Sequence, residues 1–423
     1  MTTPLAQSTV SVVCVGTGEY TTGYGLNSAK TDKGKGVVVL TMLDLKRRGL
    51  VSDICIAGVS GSKLPSIREH MRNGIENSYP GSKFDTSAIK TYPNDTVTDP
   101  LAYKEALDAA PTGSVVTVFT PDDTHFSICM DAIQKGHHVL VTKPAVMTLQ
   151  DHLSLIAAGK KHNGLVAVEM HKRFDPIYSD ARDRLRNLGP LGYFTSYMSQ
   201  PKHQLQTFKA WAGTSSDISY YLNSHHVDFC QWVFDKKARP IRVIALAATG
   251  VAEKELGRKC EDTISLHVTW QNLPSNSIGI SSFTSSWSAP PSDVHSQQHF
   301  HAQCHAGEVR VDQAHRGYTI STDANGFASS NPLFFRYTPD ADGCFSGQQA
   351  YGYRSFELFV RAALDINNGS ATPGDFDGKL ATIGTTVITS AILEAGRKSL
   401  DAGGIAVEII YNKEDEFQPI ELK

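Results

Sequence analysis

Three groups of residues in this 423-residue chain have types and spacings that could do chemistry. Gly16-Thr17-Gly18 directly follows a β-branched run, Thr9–Val15. Glycines there permit a tight turn and let backbone N–H groups approach a phosphate. Lys143 stands just past an apolar run, His138–Val141, and next to Pro144. At the carboxyl edge of a parallel sheet such a lysine lies in the crevice where these sheets bind ligands. There it can polarise a substrate oxygen or tune a neighbour's proton affinity. Tyr221 and His225 are four residues apart in a stretch with helical spacing, so they share a face. Ile218, Leu222, Phe229 and Val233 form an apolar stripe beside them. The helix can therefore bury one stripe and offer the other to a cleft.

The glycine turn is not standard. The third glycine of G-x-G-x-x-G is missing: Thr21 stands there, and Gly23 follows two residues later. The next segment, Tyr24–Gly36, is long and carries Lys30, Lys33 and Lys35, so the first helix is expected to start near Gly36. A second apolar strand runs to Ala57 and continues Gly58-Val59-Ser60-Gly61-Ser62-Lys63. A site for NAD usually has a carboxylate at this strand end, bonded to the ribose 2′-hydroxyl. None is present. Ser60, Ser62, Lys63 and Arg68 could instead hold a 2′-phosphate, which makes NADP(H) the expected cofactor.

These residues need a scaffold. Helical spacing at Val37–Arg48, Leu64–Asn73, Asp99–Ala109 and Thr124–Lys135 alternates with strands at Thr9–Val15, Asp53–Ala57, Val115–Phe119 and His138–Val141. That alternation predicts an α/β fold opening on a doubly wound parallel sheet. After about residue 150 the pattern changes. Helices are expected at Leu149–His162, Pro176–Asn187 and Asp217–Phe234. Alternating stretches follow at Ile241–Ala248, Asp262–Trp270, Ser277–Trp287, His299–His305 and Glu308–Asp312. They predict a large, mostly antiparallel open sheet. Helices near Tyr353–Asn367 and Gly378–Ser399 close the chain. The boundary near Lys143–Thr148 divides a dinucleotide-binding domain, 1–147, from a substrate-binding and oligomerisation domain, 148–423.

Composition narrows the function classes. Hydrophobic residues are 40% and charged residues 20%, which excludes disorder as the main state. The formal charge of −3 argues against nucleic-acid binding by a broad basic surface. No 18-residue apolar run suits a membrane span. Met1 to Thr9 shows no basic segment leading into an apolar stretch, so no secretory signal is expected. Seven widely spaced cysteines without a C-x-x-C read as reduced thiols in a cytoplasmic protein. His299, His301, Cys304 and His305 invite a zinc reading. On a strand, however, the three histidines share one face and Cys304 takes the other, so no metal is expected.

Thr120-Pro121-Asp122-Asp123-Thr124-His125 and Gly136-His137-His138-Val139-Leu140-Val141-Thr142-Lys143-Pro144 carry a resemblance. They resemble the T-P-x-x-x-H and G-x-x-V-x-x-E-K-P segments of the Gfo/Idh/MocA oxidoreductase family. Arg173-Phe174-Asp175-Pro176 and His225-His226-Val227-Asp228 resemble its R-F-[ND]-P and H-x-x-D segments. Within the family the chain looks most like NADPH-dependent uronic acid reductases acting on D-galacturonate and D-glucuronate. That likeness rests on Gly16–Gly23, with Glu19 and Tyr20, and on Ser219–His226. Two family positions differ: Thr142 replaces the usual Glu, and Tyr221 stands where an Asp is common.

The resemblance implies a pyridine nucleotide held by the glycine turn with Glu19, Tyr20, Thr120, Pro121, His125 and Lys143. It implies a sugar or polyol substrate. On the shared helix face, with Lys143 nearby, Tyr221 or His225 is the expected proton donor. Reduction of a hexuronate aldehyde to an aldonate also needs a carboxylate anchor, for which Lys172, Arg173, Lys202 and Arg354 are candidates. Relatives imply a homodimer or homotetramer built through the C-terminal sheet. The rival expectations are an NADP-dependent dehydrogenase of a neutral sugar or polyol, and a nucleotide-binding sensor without catalysis.

Overall fold

The computed structural model describes residues 9–25, 33–323 and 326–423. Lys30 and most of the Met1 to Thr9 segment lie outside the described residues. Six strands form the first sheet: β1 (Val10–Val15), β2 (Val51–Ala57), β3 (Lys90–Tyr92), β4 (Val115–Val118), β5 (His138–Thr142) and β6 (Val166–Glu169). Their order is β3-β2-β1-β4-β5-β6, and every pairing is parallel. Side chains of β1 alternate between two cores. Val10, Val12 and Cys14 join one, and Val13 and Val15 join the other. A strand buried on both faces reads as continuous Val and Ile, which is why it was legible as an apolar run.

The glycine-rich segment has a local explanation. A single helical turn, Glu19–Thr22, follows Gly18, and the main helix begins only at Val38. Val37 N–H donates to the Tyr20 carbonyl at 2.8 Å, so the main helix stacks on that turn. The helix is thus broken between Gly23 and Gly36, whose backbones meet there. Both have positive φ, and a Cβ on either would lie within 2.8 Å of the other's backbone.

The second sheet comprises β7 (Leu191–Pro201), β8 (Ala238–Thr249), β9 (Glu261–Asn272), β10 (Ile278–Ala289), β11 (Gln298–Cys304), β12 (Gly307–Asp312), β15 (Val407–Tyr411) and β16 (Pro419–Leu422). Its order is β12-β11-β7-β10-β9-β8-β15-β16, with only the β7–β10 pair parallel among the described strands. A hairpin, β13 (Thr319–Thr322) with β14 (Gly326–Ser329), stands apart. Strict alternation along β9 buries Ile264, Leu266, Val268 and Trp270 and turns their neighbours outward. The buried face packs under helices Ser224–Val233 and Val387–Asp401.

The two cores share chain segments. β6 lies beyond residue 147 yet completes the first sheet. Helix Tyr351–Asn367 packs Phe356, Phe359 and Val360 into the same core as Val12 and Ile56. The site therefore sits where the carboxyl edge of the first sheet meets segments of the later chain.

Candidate active site

β1 and β4 are the central neighbours about which the strand order reverses. Ligands bind in the crevice at such a switch point. Gly16 turns there at φ +112°, and an added Cβ would lie 2.1 Å from the Phe119 carbonyl oxygen. Only glycine fits. Gly18 caps the turn Glu19–Thr22 and faces open space, with no atom within 4 Å of a Cβ position. Tyr20 stacks on Phe119 with centroids 5.1 Å apart. Glu19 is half-buried in the same turn. Thr120 and the exposed Pro121 follow β4 across the crevice, and Thr120 Cγ2 lies 3.5 Å from that Gly16 Cβ position. These residues leave room for a pyrophosphate beside backbone amides, so they fit a dinucleotide.

At the end of β2, Ser60 and Ser62 hydroxyls are 3.0 Å apart and Lys63 is exposed. Arg68 is already engaged: it donates to Thr91 Oγ1 at 3.0 Å and pairs with Asp95. His125 corrects an expectation. It is fully buried, with Nδ1 2.9 Å from the Pro144 carbonyl and Nε2 2.9 Å from the Thr120 carbonyl. It pins the loop after β4 to the loop after β5 and has no edge left for a cofactor.

Lys143 emerges just past β5. Its Nζ sits over the Tyr221 ring, 4.1 Å from the centroid, and donates to the Tyr221 backbone carbonyl. The phenol and the ammonium are thus joined by a cation–π contact. Tyr221 lies in a π-helical turn, Ser219–Asn223, that leads directly into helix Ser224–Val233. Such widened turns recur at functional sites. Phe208 and Trp211 flank the Tyr221 ring at 5.1 and 5.3 Å. Burial pushes the Lys143 ammonium down to about 8, against the opposing pull of Asp122 and Glu169. Asp122 accepts from Ser216, and burial raises its carboxyl above the usual range.

His225 is buried beside this cluster, and among the described residues its Nδ1 has no hydrogen-bond partner. Burial, followed by the positive charge of Lys143, holds its proton affinity well below the ordinary histidine value. The ring is therefore neutral. His226 points elsewhere: its Nε2 meets the Tyr178 hydroxyl at 2.8 Å in the core.

The carboxylate anchors need correction. Arg173 reaches the buried carboxylate of Asp228 with both arms of its fork, at 2.9 and 2.7 Å. This pair ties the R-F-D-P segment to the H-x-x-D segment and leaves no fork for a substrate. Asp175 caps helix Pro176–Leu185 and pairs with Arg316. Lys172 is buried. Its ammonium donates to Gln298 Oε1 at 2.6 Å and to Gln313 Oε1, over the face of Tyr178. Burial lowers its ammonium to about 7. Lys202 and Arg354 are exposed, outside this buried cluster.

Two groups were not anticipated. Glu169 ends β6, directly paired with Thr142, and is buried. His171 follows it and places Nδ1 3.1 Å from Glu169 Oε2. The available signal was a carboxylate at the end of an apolar run, Leu165–Val168, the pattern that singled out Lys143. In β11, Phe300, Ala302 and Cys304 point into the core, with Cys304 Sγ toward the Leu185 carbonyl. His301 instead bonds Glu308 at 2.9 Å. Among the described residues, no group of three or more potential ligands is placed to hold a metal. No described helix is long and apolar enough to cross a membrane. All seven cysteines are free thiols.

Comparison with known proteins agrees with this geometry. Residues 80–170 match the family model GFO_IDH_MocA, described as an oxidoreductase family with an NAD-binding Rossmann fold. The chain is 27% identical over 176 residues to the uncharacterized oxidoreductase YdgJ of Escherichia coli, covering 41% of this chain and 46% of that protein. It is 28% identical over 141 residues to an inositol 2-dehydrogenase of Acidothermus cellulolyticus, covering 33% and 40%. The chain thus spans less than half the length of these curated relatives. An inositol dehydrogenase homolog from Azotobacter vinelandii, solved with NADH and myo-inositol, superposes with a TM-score of 0.64 at 16% identity. That match covers 95% of this chain and 98% of the other, and it shows the fold. The Gfo/Idh/MocA resemblance is supported over residues 80–170. The two named activities among these relatives are inositol dehydrogenases, and they lend no support to the narrower likeness to uronic acid reductases.

Proposed function

We propose that this protein is an NAD(P)-dependent dehydrogenase that oxidises a CH–OH group of a neutral cyclic polyol or sugar. The observation that carries the reading is the contrast between engaged and available charge. Arg173 is held by Asp228, and Lys172 is held by two glutamines. Among the described residues, Lys143 meets a tyrosine face and one carbonyl, and nearby His225 has a buried nitrogen with no hydrogen-bond partner. A hydroxyl suits that opening: it accepts from an N–H of the neutral imidazole and donates to Lys143 in its neutral amine form.

Gly16, Thr17, Gly18, Thr120 and Pro121 would hold the dinucleotide, whose nicotinamide supplies the hydride acceptor. Ser60, Ser62 and Lys63, with no carboxylate at the end of β2, favour NADP(H) over NAD(H). Burial brings the Lys143 ammonium down to about 8, within reach of neutral pH. A group so poised suits removal of a hydroxyl proton during oxidation. His225 orients the same hydroxyl. Tyr221 fixes the ammonium through its ring face and carbonyl. The aromatic wall of Phe208, Trp211 and Tyr221 excludes water. The wide second sheet exposes Leu246, Ile278 and Ile280. We assign pairing of subunits to that face.

Reduction of a hexuronate by NADPH is the second reading. It is favoured by Lys172, a buried cation whose hydrogen-bond partners are neutral. Nicotinamide absorbance separates the two. Purified protein would be assayed with NAD+ and NADP+ against inositols and neutral aldoses, and with NADH and NADPH against hexuronates. Turnover of the neutral compounds is expected. Turnover of hexuronates alone would overturn the main reading, and nucleotide binding without turnover on either panel would point to a sensor.

A further inference from the structure

Glu169 is a buried carboxylate with two side-chain contacts on different elements. Its Oε1 accepts from Ser355 Oγ at 2.9 Å, and Ser355 lies on helix Tyr351–Asn367. Its Oε2 meets His171 Nδ1 at 3.1 Å. A carboxylate only accepts, so Nδ1 of His171 carries the proton, and in the neutral ring Nε2 is left as an acceptor. The ring is walled by Phe334 and Tyr351 at 5.2 and 5.8 Å. A further ring neighbour is His225, with centroids 5.1 Å apart. His171 keeps 15% of its side chain exposed, so a small molecule can reach it. Two imidazoles therefore stand side by side next to Lys143, one oriented by Glu169 and one with an unmet nitrogen.

We propose that Glu169 is a positioning residue that presents His171 as a second hydroxyl-binding imidazole beside His225, so that the site reads two adjacent hydroxyls. The inference rests on the dehydrogenase reading above and deepens it. The hydroxyl being oxidised meets Lys143 and His225. Its neighbour on the ring donates to His171. A substrate lacking that neighbour leaves the His171 acceptor unpaired in a desolvated site, which sites of this kind reject strongly. Glu169 has a second effect, because its charge also supports the Lys143 proton. The groups facing Lys143 are Asp122, Glu169, Lys33, Tyr221 and His225. Removing the Glu169 charge alone leaves that balance more positive and lowers the Lys143 proton affinity below about 8.

The test compares wild type, Glu169→Gln, Glu169→Asp and His171→Phe as full chains. Wild type is expected to lose about 10–100-fold in kcat/KM on a polyol whose neighbouring hydroxyl is removed. That discrimination should disappear in His171→Phe. Glu169→Gln should lower kcat/KM and also move the acid limb of its pH profile to lower pH. Glu169→Asp should restore part of both. Discrimination unchanged in His171→Phe, or a limb unmoved in Glu169→Gln, would overturn the proposal. Imidazole nitrogen NMR, assigned with His171→Phe, reads the same arrangement without substrate. It should show His171 protonated on Nδ1 in wild type and that preference weakened in Glu169→Gln. An Nε2-protonated ring in wild type would overturn the positioning role. An Nδ1-protonated ring in a protein that turns over none of the compounds would instead count against the dehydrogenase reading.

Discussion

Two arrangements of buried charge lie near each other and differ in how completely they are paired. Arg173 donates two hydrogen bonds to Asp228, with both side chains at most 5% exposed. Lys143 rests on the face of Tyr221 and one carbonyl, near a His225 nitrogen that has no hydrogen-bond partner among the described residues. The first arrangement is complete and can only hold segments together. The second is incomplete, and its ammonium is pushed down to about 8 by burial. Saturation separates a structural ion pair from a site that still needs a ligand: an unmet buried polar group costs free energy until something pairs with it.

The largest effect expected from this contrast is on turnover. Lys143→Ala should lower kcat by about 10²–10⁴ while leaving nucleotide binding and the melting temperature near wild type. Fluorescence titration with NADPH beside a steady-state assay checks it. A loss of binding equal to the loss of turnover would break the comparison. Arg173→Ala should do the reverse and destabilise the fold by about 3–5 kcal/mol, because Asp228 would be left buried and unpaired. Denaturant unfolding measures this, and a fold as stable as wild type would show that the pair is not structural.

Smaller effects sharpen the nucleotide end. Gly16→Ala forces a non-glycine residue to φ +112° against the Phe119 carbonyl. It should cost about 1–3 kcal/mol of stability and weaken nucleotide binding. Calorimetry of the variant with and without nucleotide reads both. Lys63→Glu puts a carboxylate at the end of β2, where a 2′-phosphate would sit. It should move the NADP+/NAD+ ratio of kcat/KM toward NAD+ by about tenfold. An unchanged ratio would remove Lys63 from the cofactor site.

Much of this was legible in the sequence, and the reasons differ by element. The strands of the first sheet are buried on both faces, so β1, β4 and β5 show as bare apolar runs. β6 is only four residues long, Val166–Glu169, and passed unnoticed. With it went Glu169 and His171. β7 was missed because Tyr193, Tyr197 and the serines beside them blur its alternation. The structure brings Lys143 against Tyr221, with His225 nearby. Pairing partners were not legible. Nothing local in Arg173-Phe174-Asp175-Pro176 says that the guanidinium meets Asp228, 55 residues away. The same holds for Lys172 with Gln298 and Gln313, and for His125 with Pro144. Residue type showed which groups could bind an anion, but only the tertiary structure shows which are already bound.

The most direct test of Lys143 as the proton-handling group is the pH dependence of kcat/KM for oxidation of a neutral polyol. This quantity reports the proton affinities of the free enzyme. Oxidation needs the neutral amine, so the rate should rise with pH and level off above a midpoint near 8. Lys143→Arg, which keeps the charge but does not deprotonate, should abolish that limb. A limb in the ordinary histidine range that persists in Lys143→Arg would contradict the account.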